Sequence, residues 1–234
     1  MEAKKGCKDW LHAQLEELAG LDFTDEELEE GLRTYLEETG KNVLELTQED
    51  KENIYGDILQ ECLERERLRD HLAEYLGTET EEQRETIEFV SAKKLSGHHK
   101  EQYDFLADKR LADVQIAIVP DELWVKGGQP SESDAGNNLV LFKASAFKGE
   151  DTVAWMTHEL GHCQRLKDTD LERYKTDSEA GYPDNEVERH AFTKQFEFLK
   201  SNGVTKEQIL QMLEEWYHDE ELEFLGGLLK EVYE

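Results

Sequence analysis

The chain has 234 residues, of which 56 are Asp or Glu and 27 are Lys or Arg, a formal net charge of −29 at pH 7. So negative a balance opposes direct binding to nucleic acid or to an anionic membrane surface, because both depend on neutralising phosphates with Lys and Arg. It fits a solubility role and, more sharply, a basic partner or substrate.

Three cysteines, Cys7, Cys62 and Cys163, are too few and too scattered for a disulfide framework. Met1 to Lys8 is charged with no apolar h-region behind it. No apolar run approaches the roughly 18 residues that span a bilayer. A cytoplasmic chain is the expectation, organised as an acidic helical region over 1–78 and a second domain over 79–234.

In the first region Trp10, Leu11, Leu15 and Leu18 recur at helical spacing, with Gly20 as a stop. Thr24-Asp25-Glu26-Glu27 reads as a capping box leading into Leu28, Leu32, Tyr35 and Leu36, and Gly40 ends that helix. Thr47 caps another, carrying Ile54, Ile58, Cys62, Leu68, Leu72, Tyr75 and Leu76. The region holds no catalytic constellation, His12 and His71 being isolated. It reads as a small bundle, either a docking module or a lid.

Thr80-Glu81-Glu82-Gln83 is again a capping box, and Ile87, Val90 and Leu95 predict a helix that breaks at Gly97 and resumes through Tyr103 and Leu106. His98 and His99 are adjacent, so they cannot chelate one ion from a shared helix face. The period then changes. Val114 to Val119 reads as a strand ending at Pro120, residues 126–136 as a long turn-rich loop, and Asn138 to Phe142 as a second strand. That second strand either presents an open edge to an extended peptide or is an ordinary inner strand.

The sharpest motif follows. Trp155-Met156-Thr157-His158-Glu159-Leu160-Gly161-His162-Cys163 contains His-Glu-x-x-His. On a helix, residues four apart share a face, so His158 and His162 can turn their imidazoles to one ion. Glu159, one step round, can reach a water on that ion as general base. Val153, Met156, Leu160 and Cys163 form the stripe that buries the helix. Gly161 is costly in a helix interior and makes sense where another backbone passes close.

The chain stays polar to Gly181-Tyr182-Pro183, which predicts a loop, and Pro183-Asp184-Asn185 starts a helix running to Asn202-Gly203. Its head offers two carboxylates as third ligand. Glu188 falls inside the apolar arc of Val187, Ala191, Phe192, Phe196, Phe198 and Leu199, where a carboxylate is expensive unless paired or metal-bound. Glu186 falls nearly opposite and stands as the alternative. Asn185-x-x-Glu188 also resembles a capping box, and Ala191 leaves room for the His helix. Two further helices carry Ile209, Leu210, Leu213 and Trp216, then Leu222, Leu225, Leu228, Leu229 and Val232. Tyr182, His190, Tyr217 and His218 are the groups available to polarise a substrate carbonyl, Tyr182 first because it lies nearest the ligand helix.

His158-Glu159-Leu160-Gly161-His162 with a helix-borne glutamate downstream resembles the gluzincin metallopeptidases. Together with the preceding strand and Glu188-Arg189-His190-Ala191, it is most similar to the ImmA/IrrE-type cytoplasmic metallopeptidases, over roughly residues 85–203. The resemblance implies Zn²⁺ held by His158, His162 and Glu188, with Glu159 as base. The expectation is a mostly helical α+β chain, with a small β-sheet packed on the His-Glu-x-x-His helix, that hydrolyses a peptide or protein substrate. The rival is a regulatory or interaction protein whose zinc site is structural or vestigial.

Overall fold

The computed structural model describes residues 25–78, 80–92, 108–148, 152–179 and 181–234. The helix expected over Trp10 to Leu18, the Thr24 cap, and Leu95 to Leu106 with His98 and His99 lie outside the described residues. Contacts divide the chain into two compact units, one ending at His71 and the other running from Leu72 to Glu234.

The described part of the first unit contains α1 (Asp25–Thr39) and the greater part of α2 (Gln48–Leu76). Leu28 and Leu32, one turn apart on α1, meet Ile54 and Ile58, one turn apart on α2, and all four are essentially inaccessible to solvent. Gly40 ends α1 at a φ of 66°, a left-handed conformation that glycine adopts without steric cost. The start of α2 is fixed by a reciprocal cap. Thr47 Oγ1 accepts from the Asp50 amide at 3.2 Å, and Asp50 Oδ2 accepts from the Thr47 amide at 2.8 Å.

Asp50 also receives the Tyr35 hydroxyl at 2.5 Å and the Lys41 ammonium at 2.6 Å. These donors, Lys41 foremost, hold its carboxyl well below the usual carboxylate range. A depressed folded-state pKa contributes stability above the unfolded value, and that contribution is lost as pH falls through the folded one. Asp50→Asn should therefore destabilise the chain at neutral pH. The deficit against wild type should shrink as pH drops below the ordinary carboxylate value near 3.8. Urea unfolding of both chains across an acid series would measure it, and a deficit independent of pH would show that the charge is irrelevant.

In the second unit, Thr80 and Gln83 form the expected capping box for α3 (Glu81–Glu85), a single short helix. The helix expected beyond it is not there at its start. Residues Glu88–Ser91 form β1, antiparallel to β2 (Gln115–Val119), with Phe89 opposite Ala117 and Val90 opposite Ile116. Aromatic and β-branched side chains suit a pleated strand, and the available partner edge outweighs the weak helical spacing. A second correction concerns the turn-rich segment, which contains β3 (Ser131–Asp134), antiparallel to β4 (Leu139–Lys143). β2 and β4 run parallel, so the strand order is β1-β2-β4-β3. β4 is thus an inner strand, and β1 and β3 are the edges of the described sheet.

After the short α4 (Ala144–Phe147) comes α5 (Thr152–Asp168), the His-Glu-x-x-His helix. One sheet face, with Ile116, Val140 and Phe142, packs on Met156, Leu160 and Cys163 of α5. The polar stretch expected to be a loop contains α6 (Leu171–Ser178), capped by Asp170, whose side chain accepts from the Arg173 amide at 2.8 Å. Leu171 is exposed and Tyr174 half-buried, so α6 lacks the apolar stripe that marks a core helix. Then follow α7 (Glu186–Ser201), α8 (Lys206–Glu214) and α9 (Asp219–Tyr233). Phe192 and Phe196 of α7 share a core with Ala154 of α5, Ile209 and Leu213 of α8, and Leu225, Leu228 and Leu229 of α9. Trp216 is not in that core: it is 57% exposed. The architecture is a mostly helical α+β fold with one small mixed sheet, α5 lying between that sheet and the C-terminal helices. No described helix is long and apolar enough to cross a membrane.

Candidate metal centre

The separation of α5 and α7 is set where their backbones almost touch. A Cβ built on Gly161 would lie 2.9 Å from Ala191 Cα and 3.4 Å from Ala191 Cβ. Only the pairing of the two smallest residues allows this approach, and it brings Glu188, one turn before Ala191, over the two imidazoles. His158 Nε2 and His162 Nε2 are 3.2 Å apart, and Glu188 Oε2 stands 3.5 Å from the first and 3.7 Å from the second. Among the described residues these three form the one group of metal-ligating side chains with all donor atoms mutually close. Glu186 is exposed at the head of α7 and is outside the group.

Asn185 caps α7 by accepting from the amides of Val187 and Glu188. The cap holds the first turn in place, while the Glu188 carboxylate is directed to the histidines. Glu188 Oε2 is buried and has no hydrogen-bond partner among the described residues. An orphaned buried carboxylate oxygen facing two imidazole nitrogens is costly, and a shared cation removes the cost. The donor set therefore fits a metal ion.

The electrostatics follow from burial and crowding. Burial, then the neighbouring His158, pulls His162 down to about 4. Burial also lowers His158, but its close pairing with Glu188 and the charges of Glu159 and Glu188 outweigh this and raise it. Burial opposes ionisation of Glu188, yet the pairing with His158 and His162 brings it below its ordinary value. Glu159 is raised, chiefly by burial.

Glu159 stands apart from the three donor atoms. Its Oε1 accepts from Ser131 Oγ of the edge strand at 2.8 Å. Because side chains alternate along a strand, Ser131 and Ser133 face this site, while Glu132 faces the other way and accepts from the Tyr75 hydroxyl at 2.6 Å. A cleft of about 640 Å³ opens over the site. Its walls are β3, the tyrosines Tyr174, Tyr182 and Tyr217, the indoles of Trp155 and Trp216, and Glu221. No Lys or Arg is among its described lining residues.

The four candidates for polarising a carbonyl separate cleanly. Tyr182 and Tyr217 both line the cleft, with their hydroxyl oxygens 3.1 Å apart. His190 instead meets Gln164 Oε1 at 2.9 Å, and His218 forms the N-cap of α9. Cys163 belongs to the core under the sheet, its thiol pushed up to about 12 by burial. Sequence reasoning missed Ser131, hidden in a segment without strand periodicity, and Tyr174, whose hydroxyl is 3.4 Å from His162 Nδ1. The i, i+3 and i+4 relation of Asp170, Arg173 and Tyr174 behind a capping aspartate was the available signal for α6.

No family model matches the chain, and no match was found among curated proteins or among solved structures.

Proposed function

We propose that this chain is a zinc-dependent peptidase of the gluzincin kind, with zinc held by His158, His162 and Glu188. The observation that carries the reading is the triangle of donor atoms, with edges of 3.2, 3.5 and 3.7 Å. Tetrahedral zinc with bonds of about 2.0–2.2 Å needs donor atoms roughly 3.3–3.6 Å apart. Two imidazoles and one carboxylate leave a position open towards the cleft, the pattern of a catalytic rather than a structural site. His190, the residue best placed in sequence to fill that position, is turned to Gln164.

When bound, zinc supplies Lewis acidity, lowering the pKa of a water towards about 7 and polarising a carbonyl. The protein's own groups do the rest. Glu159 takes a proton from the attacking water and delivers it to the leaving amine. Ser131 holds the Glu159 carboxylate in place. The Tyr182 and Tyr217 hydroxyls donate to the oxygen on which negative charge develops. The outer edge of β3, which has no strand partner among the described residues, pairs with the main chain of an extended peptide. Glu221 and the two indoles, in a cleft whose described lining holds no Lys or Arg, favour a substrate with basic side chains, by charge and by cation–π contact.

Metal content tests the ligand set. Purified wild type should carry one zinc per chain, Glu186→Ala should carry the same, and Glu188→Ala should lose it on dialysis. Equal content in both variants would place the third ligand elsewhere.

A further inference from the structure

A metal-binding imidazole uses one ring nitrogen for the ion and donates the other N–H to a partner that fixes its tautomer and orientation. His162 has such a partner at Nδ1 in Tyr174. His158 Nδ1 is buried and, among the described residues, has no hydrogen-bond partner. Another buried polar atom without a partner among the described residues is Gln195 Oε1. Gln195 is only 6% exposed and lies on α7 one turn beyond Ala191, on the stripe that meets α5, where His158 is 7% exposed. The Phe192 ring packs on the His158 ring, with centroids 4.4 Å apart, and limits its rotation.

We propose that Gln195 is the positioning residue for His158, its side-chain carbonyl receiving the Nδ1 hydrogen so that Nε2 is held towards the ion. The proposal rests on the metal reading of the site. The Gln195 side chain is near enough to be among the groups that act on His158. The identity of the residue has a physical reason. Glu159 and Glu188 already place two carboxylates in this buried space, and a third, uncompensated by a cation, would be strongly unfavourable without metal. An amide supplies the acceptor with no added charge. The site therefore tolerates the metal-free state while keeping both imidazoles in register.

Gln195→Met removes the acceptor at similar volume, and Gln195→Glu restores it with charge. Zinc affinity would be measured by competition with a chromophoric chelator, beside thermal unfolding of the metal-free chains. Gln195→Met should bind zinc about 10–100-fold more weakly, with metal-free unfolding close to that of wild type. Gln195→Glu should bind at least as tightly as wild type while its metal-free form unfolds earlier. Wild-type affinity in Gln195→Met, or equal losses in Met and Glu variants, would overturn the role of Gln195 and leave the metal site standing. A wild type that takes no zinc would overturn both together.

Discussion

Glu159→Gln is expected to keep its zinc and lose about 10²–10⁴-fold in turnover. The two halves of that expectation come from separate features. Zinc retention follows because Glu159 is not one of the three donors, and because glutamine preserves the shape that Ser131 meets at 2.8 Å. Loss of turnover follows because an amide cannot accept and return a proton. Burial raises the Glu159 carboxyl, which brings a general base nearer the pH at which proton transfer is most effective. The measurement is zinc content together with mass-spectrometric cleavage of a pool of unstructured basic peptides. Cleavage at the wild-type rate by a zinc-loaded Glu159→Gln chain would assign the base to another group.

Gly161→Ala should both destabilise the chain and weaken metal binding, although in an ordinary helix the same change stabilises by up to about 1 kcal/mol. The added methyl would meet Ala191 Cα at 2.9 Å. That atom is backbone and cannot rotate aside, so α5 and α7 must move apart. Overpacking of this kind costs about 1–3 kcal/mol, which exceeds the propensity gain. A net loss of about 1 kcal/mol would lower Tm by about 2–4 °C in a chain of this size. The same displacement carries Glu188 away from the histidines, and metal sites tolerate only about 0.2 Å of error in ligand distance. A fall of tenfold or more in zinc affinity is therefore expected on the scale of lost supporting contacts. Gly227→Ala is the control. Nothing lies within 4 Å of a Cβ at that position of α9, so it should be neutral or stabilising. Equal behaviour of the two variants would mean that the Gly161–Ala191 contact does not set the helix separation.

The elements most legible in the sequence are those in which one periodicity serves one environment. α5 and α7 each bury a stripe and carry polar residues beside it, so the His-Glu-x-x-His pattern pointed to His158 and His162, helical geometry favoured Glu188 while leaving Glu186 as the alternative, and Gly161 and Ala191 each suggested a close approach. The segments that were misread answer to partners distant in the chain. β1 is short and flanked by helix-like spacing, and it becomes a strand because the β2 edge is there to receive it. α6 has a capping aspartate but an exposed Leu171 and no apolar stripe. Trp216 fits a helical core pattern, yet it lies at the cleft with its ring 6.4 Å from that of Trp155. Its apolar surface therefore serves the opening of the site and not the interior. Ser131 and Tyr174 could not be placed because neither belongs to a motif; they reach the histidine helix only through tertiary packing.

β3 has a further consequence. An unpaired strand at the end of a sheet offers its free amides and carbonyls to any extended chain, including another copy of the same protein. The four residues here are Ser131, Glu132, Ser133 and Asp134, a run too short, too polar and too charged to zip against itself. The composition that conceals the strand from pattern reading is therefore also its protection against aggregation. Natural selection for a more conventional, apolar strand at this edge would improve its β-propensity and expose the protein to self-association. An edge strand is safest when it scarcely resembles a strand.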